Sequence, residues 1–258
     1  MKVCNLNVKN NLFKSTINKL KPRNVGIILI DKEKYILKIE DIDTKEETKT
    51  DEYIFYKKFK SKIKSDHFDL IIQLPIKYSI CNNKIKYLFE LLKGDIDTTF
   101  LLKVSYKNIV NILQQSLFSL YYINHYLHYY HNDLCTSRKM YKLNNLMYIK
   151  NDKEKKLEVD GLKLIIKKYR VLIIDFGLSS KIMGYKGTIL YDGLKIFFLY
   201  DFKYKSELFI LFIIFLHTYK GIDFLKIKDY YISFEKRMKK NSLIEFDKSL
   251  YNNFQDFL

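Results

Sequence analysis

The chain holds no tryptophan, two prolines, eight glycines and three cysteines in 258 residues. So little proline and glycine argues against a disordered or low-complexity chain. Cys4, Cys81 and Cys135 are odd in number and far apart, with no CxxC spacing. That excludes a disulfide framework and a cysteine zinc site, and suits a reducing compartment. Long apolar runs are missing too. The longest, Leu208–Tyr219 (LFILFIIFLHTY), falls short of the ~20 residues that a bilayer span needs, so it reads as a core helix buried all round. The start of the chain has no charged segment followed by an apolar stretch and a small-residue cleavage site, so secretion is not expected and the cytoplasm is. Arginine is scarce as well. Arg23, Arg138, Arg170 and Arg237 are the only four, and lysine supplies nearly all of the formal charge of +17.

That charge invites a nucleic-acid reading, because lysines that neutralise phosphates drive non-specific binding. The positive residues are spread along the chain, however, and no recognition motif accompanies them. Lys, Ile, Asn, Tyr and Phe are abundant throughout, as an AT-rich coding sequence would produce. A preference for acidic partners is the most that the charge supports.

What is present is enough apolar sequence, 48%, for one large domain or two small lobes. No linker or internal repeat interrupts it. Val25–Ile30 and Tyr35–Ile39 read as strands joined by the charged turn Asp31–Lys34. Tyr53, Tyr56, Phe59 and Ile63 recur at helical spacing and predict an amphipathic helix. FDLIIQLPIKYSIC and KIKYLFELL follow as two further strands. From Tyr106 a long helix leads to His131. Short strands near Leu146–Ile149 and Val171–Ile174 then bracket a charged hairpin, and helices run to the end. The expectation is an α+β molecule with a small β-rich lobe, a connector near Glu90–Asp97 and a larger helical lobe. Sites commonly form in the cleft between such halves.

Two stretches carry candidate chemistry: YYHNDLCTSRKMYKLNNLMYIK from Tyr129, and VLIIDFGLSS, which puts Asp175 at the end of an apolar strand. Together, in this order, they resemble the catalytic core of eukaryotic-type protein kinases, with its H-R-D-L-x-x-x-N loop and D-F-G segment. The arrangement is most similar to the divergent serine/threonine kinases of large DNA viruses, the giant-virus and poxvirus-like ones. The resemblance covers roughly Val25 to Tyr219. It implies a bilobal protein-kinase-like domain over residues 1–258, with an N-lobe to about residue 92 and a shortened helical C-lobe beyond. It also implies ATP and Mg²⁺ as cofactors, serine or threonine hydroxyls of a protein as substrate, and, for a viral chain, the host cytoplasm or the virion as its place.

The resemblance assigns roles residue by residue. Phosphoryl transfer is mostly positioning and charge stabilisation. Asp133 would accept the hydrogen bond of the substrate hydroxyl, and Asp175 and Asn145 would hold Mg²⁺, a hard cation that takes oxygen ligands. Asn144 is the neighbouring alternative to Asn145. Lys38, in YILKIE, would bind the α and β phosphates, with Glu52 as its ion-pair partner and Glu46 and Glu47 as rivals. Phe89 would stand at the back of the nucleotide pocket, with Glu90 to Leu92 as the connector whose backbone binds adenine. His131 would pack beneath the metal-binding segment. His125 and His128 read as ordinary helix residues. Asp201 would be the buried acid that opens the central C-lobe helix and bonds to the catalytic-loop backbone.

Four departures stand out. The Gly-rich loop is absent, with Gly26 the only glycine near the first strands. Arg138 stands where the loop asparagine belongs, so Asn145 fits only across an insertion. Cys135 replaces the loop lysine. Asn132 replaces the loop arginine and no A-P-E follows Gly177, which points away from an activation-loop phosphorylation switch. These departures keep two alternatives in view: a catalytically impaired pseudokinase that works as a scaffold, and a small-molecule phosphotransferase of the choline or aminoglycoside type.

Overall fold

The computed structural model describes residues 25–30, 32–42, 51–81, 83–136, 142–143, 145–183, 202–223, 226–238 and 242–258. Four antiparallel strands, β1 (Val25–Ile30), β2 (Glu33–Asp41), β3 (Lys77–Cys81) and β4 (Lys84–Glu90), form one sheet in the order β1-β2-β4-β3. Ile30 pairs with Glu33, so the first hairpin is tighter than its charged sequence predicts, with Lys32 at the tip in the left-handed region (φ 69°). Alternation along β2 sends Leu37 and Ile39 to one face, where they pack with Ile28 and Leu88. Ile36, Lys38 and Glu40 take the other face. Helix α1 (Asp51–Ser65) follows β2 in the chain, and the Lys38 face meets its first turn. The predicted stripe of Tyr53, Tyr56, Phe59 and Ile63 is buried, and Phe55 with it. Asp51 and Glu52 in its first turn, and Lys62 and Lys64 in its last, suit the helix dipole.

The segment FDLIIQLPIKYSIC is not one strand. Phe68–Leu70 forms a 3₁₀ turn, and only Lys77–Cys81 joins the sheet. The apolar residues between them are used to join the lobes. Ile173 N donates to the Ile71 carbonyl at 3.0 Å, Gln73 N donates to the Ile173 carbonyl at 2.9 Å, and Phe68 stacks on Tyr122 at 3.8 Å.

Beyond β4 the chain crosses to the helical part. β5 (Gly94–Asp95) pairs with residues 147 and 148 further on, and α2 (Thr98–Leu101) is capped by Asp97, which accepts from Phe100 N at 2.7 Å. Helix α3 (Tyr106–Tyr121) runs into a single wide π turn, Tyr122–Tyr126, and stops short of His128, which has φ 56°. There follow β6 (Cys135–Thr136), β7 (Lys142–Leu143), β8 (Leu146–Lys150), β9 (Lys155–Val159), β10 (Leu162–Ile166) and β11 (Tyr169–Ile173). β11, β8 and β5 form a small sheet, and β9 with β10 the expected hairpin. Gln115 fixes this sheet to α3: its buried amide donates to the Tyr169 carbonyl at 2.7 Å and accepts from Val171 N at 2.9 Å.

The last helices are α4 (Glu207–Lys220), α5 (Ile227–Met238) and α6 (Leu243–Asn253). Every residue from Leu208 to Leu216 is buried, as the apolar run predicts. No described helix is long and apolar enough to cross a membrane. A β-sheet N-terminal part and a helical C-terminal part thus give a mixed fold, as the order of strands and helices in the sequence predicts.

Candidate active site

Three separate elements deliver charge to one point. Lys38 projects from β2, Glu52 from the first turn of α1, and Asp175 from the end of β11. The Lys38 ammonium donates to Glu52 Oε2 and, at 2.8 Å, to Asp175 Oδ1, and it lies 3.1 Å from Glu40 Oε1. Burial opposes the charge on Lys38, but Glu52, Asp175 and Glu40 together outweigh it and hold its pKa well above the usual lysine value. Burial likewise opposes ionisation of Asp175. The Lys38 charge and hydrogen bond, with help from His131 and the Gly177 N–H, prevail and lower its pKa. Glu52 moves the other way: burial raises its pKa, Lys38 pulls it down, and Glu40 and Asp175 push it up again. With three acids around one cation, Lys38 stays charged, and burial holds the Glu52 pKa above the usual carboxylate range.

Asp175 has φ 59°, a left-handed conformation that a non-glycine residue adopts only where its surroundings enforce it. Phe176 supplies part of that enforcement. It is fully buried, stacked on Phe55 at 4.0 Å with rings 7° apart, and meets the His131 ring edge-on at 4.9 Å. The next position is tight: a Cβ on Gly177 would come within 3.3 Å of Asp175 Oδ1 and press on that carboxylate.

The loop after the π turn is held by hydrogen bonds instead. Glu207, the first residue of α4, accepts from His131 N at 3.1 Å, from Asn132 N at 2.8 Å and from the Asn124 amide at 2.8 Å. Burial raises the pKa of Glu207, and these three donors work against that rise. His131 is completely buried, and burial pushes its pKa down to about 4 against the pull of the Ile174 carbonyl. Its neutral ring donates from Nε2 to the Ile174 carbonyl at 2.8 Å and accepts from Asp133 N through Nδ1 at 3.2 Å. It packs beneath the segment that carries Asp175.

Asp133 and Asn145 are twelve residues apart yet adjacent. The Asn145 amide donates to the Asp133 carbonyl at 2.7 Å and to its Oδ2 at 3.0 Å. Antiparallel pairing of Cys135 with Leu143 and of Thr136 with Lys142 returns Asn145 to the loop. The Asn145 carbonyl in turn accepts from Ile174 N at 3.0 Å. A continuous set of bonds therefore runs from Asp133 through Asn145 to the residue before Asp175. Arg138 and Asn144 lie outside the described residues, as do Glu46 and Glu47.

The other expected residues are less engaged. Phe89 is buried beside Tyr56 and Tyr87. Glu90 ends β4 with an exposed side chain 3.4 Å from Arg170, while its carbonyl accepts from the Gln73 amide at 2.9 Å; Leu92 is buried. Gly26 sits mid-strand opposite Leu37 with no positive φ. It is not part of a turn, and no glycine-rich phosphate loop is formed among the described residues. His125 is bonded to the buried Asp247 at 2.6 Å, inside the π turn rather than on an ordinary helical face.

Two site residues escaped the sequence reading. Asp201 lies outside the described residues, and Glu207 is an acid that accepts from the backbone N–H groups of His131 and Asn132. Ser206 marks it: this serine caps α4, accepting from Phe209 N at 3.0 Å, so the acid after it falls in the first turn. Glu40 was legible from strand alternation, two residues beyond Lys38 on the same face.

Among the described residues no group of three or more His, Cys, Asp or Glu side chains is arranged to hold a metal by itself. An ionised Asp175 and the carboxamide oxygen of Asn145, whose nitrogen is committed to Asp133, are each oxygen donors of the kind Mg²⁺ uses. That ion takes one or two protein oxygens and completes its shell with phosphate and water.

No protein-family model matches the chain, and no curated protein matches it. Among solved structures it is similar to a crystal structure of a kinase domain from Plasmodium, at 15% identity and a TM-score of 0.42, over 79% of this chain and 64% of that one. A likeness that distant says nothing of activity.

Proposed function

We propose that the chain is an ATP-dependent protein kinase that transfers the γ-phosphate to serine or threonine hydroxyls, with residues 1–258 acting as one kinase-like domain. The observation that carries this reading is the meeting of Lys38, Glu52 and Asp175 in one ion cluster, with Asp175 bonded through its own strand to the Asp133–Asn145 pair. Lys38, oriented by Glu52, would engage the α and β phosphates. Asp175 and Asn145 would hold Mg²⁺, which when bound supplies charge neutralisation at the phosphates. Asp133, kept in place by Asn145, would accept the hydrogen bond of the incoming hydroxyl and set its oxygen in line with the phosphorus.

Asn132, in place of the loop arginine, bears on regulation. Its amide lies 3.1 Å from the Leu178 carbonyl, 3.1 Å from Ser180 Oγ and 3.3 Å from the Ile182 carbonyl. Tyr130 and Ser180 exchange two backbone hydrogen bonds beside it. Residues 178–182 are thus tied to this loop by neutral donors.

Transfer of label from γ-labelled ATP to casein or a basic protein tests the reading. Replacing Asp133 by Ala should lower the rate by about 10²–10⁴-fold, the usual contribution of such a group. Equal labelling by both proteins refutes the role given to Asp133. The absence of a described phosphate loop favours a scaffold as the second reading. No change in melting temperature with millimolar Mg²⁺–ATP would select it, since saturation at ~100 Kd adds about 2.7 kcal/mol.

A further inference from the structure

An ammonium group has three N–H donors. At Lys38 three carboxylates surround it: Glu52, Asp175 Oδ1 at 2.8 Å and Glu40 Oε1 at 3.1 Å. One partner is enough to orient the lysine, and Glu52 is suited to that because its side chain is only 1% exposed. Asp175 is 45% exposed and has a second task on the proposed reading, at the metal. Glu40, at 17% exposure, has neither the burial of Glu52 nor the task of Asp175. Strand alternation still brings it to the lysine.

We propose that Glu40 sets nucleotide affinity by occupying the Lys38 donor that a phosphate oxygen must take. The inference rests on the kinase reading and deepens it. When Asp175 turns toward a metal, one donor of Lys38 is released. Two phosphate oxygens need two donors, and the second is obtained by displacing Glu40, since Glu52 is locked in the core. Glu40 then remains as a negative charge beside a polyanion. It weakens binding in both ways, by competition and by repulsion. The site gains a stronger dependence on bound cation and a lower intrinsic hold on the nucleotide.

The test compares the wild-type chain with Glu40→Gln, and with Glu40→Ala as a second variant lacking any hydrogen-bonding group. Dissociation constants for Mg²⁺–ATP and for adenosine are measured by calorimetry at fixed salt, with KM for ATP alongside. Both variants should bind Mg²⁺–ATP about fivefold to tenfold tighter, with the gain also seen in KM. Adenosine, which has no phosphate, should bind all three proteins equally. Unchanged ATP affinity overturns the proposal. So does weaker ATP binding with a fallen kcat, which would make Glu40 a support for Lys38. If wild-type and variants all bind adenosine but none binds Mg²⁺–ATP, or none binds either, the kinase reading fails and the inference with it.

Discussion

The two halves of the candidate site are built on different physics. Around Lys38 the contacts are between charges: one ammonium, three acids, and partners drawn from β2, α1 and the end of β11. Around Asp133 they are hydrogen bonds to backbone and neutral side chains, organised by Glu207 and a neutral His131. The first arrangement is over-supplied with negative charge. The second satisfies its donors one by one and is preset.

Removing the organiser of the preset side should have the largest effect. Glu207→Ala leaves the N–H groups of His131 and Asn132 and the Asn124 amide without their buried acceptor, a loss of about 3–5 kcal/mol. Urea unfolding checks this, and Glu207→Gln, which keeps one oxygen, should lose less. A midpoint unmoved by the alanine variant would show that the loop does not depend on this acid.

Acid probes the same side through His131. Its folded pKa of about 4 lies below the unfolded value of 6.5, so the unfolded chain binds the extra proton between them. The stabilisation is complete above pH 6.5 and is lost as the pH falls toward 4, by about 3 kcal/mol in all. Unfolding curves at pH 7, 5.5 and 4.5 should show this decline, and His131→Asn should flatten it. An equally steep decline in the variant would assign the acid sensitivity to other groups.

The charged side should respond least to loss of its centre, and with the opposite pH dependence. Lys38→Met leaves Glu40, Glu52 and Asp175 facing one another. Glu52 and Asp175 lose the cation that pulls their pKa values down, so both rise and the defect grows as the pH rises. Because Glu40 and Asp175 are partly exposed, the cost should be only about 1–2 kcal/mol at pH 8, and less at pH 5. A defect that is larger at pH 5 would contradict the picture of surplus negative charge.

How much of this was legible in the sequence follows the same division. The charged side announces itself locally: a lysine in an alternating strand, an acid at the start of an amphipathic helix, an acid at the end of an apolar strand. The preset side depends on which residues lie close in three dimensions. Glu207 is hard to single out because it abuts the apolar run, and only the start of the helix at Ser206 marks it. The pairing that returns Asn145 to Asp133 is between two-residue strands, too short to carry a periodicity. The run through Ile71 and Ile72 was read as strand because its residues are apolar and branched; their burial against β11 gives them the same composition for a different reason.

The wide turn at Tyr122–Tyr126 shows how narrow the tolerances are. A helix that kept its ordinary pitch would present each later side chain about 100° away from where a one-residue bulge puts it. With that slack, the neighbours Asn124 and His125 reach two different acids, Glu207 at the head of α4 and Asp247 in α6. One residue's worth of rewinding thus anchors the rod to two others at once and fixes how deep its far end is seated. Shortening the rod there by a single amino acid would unseat both anchors together, with every reactive group left in the chain.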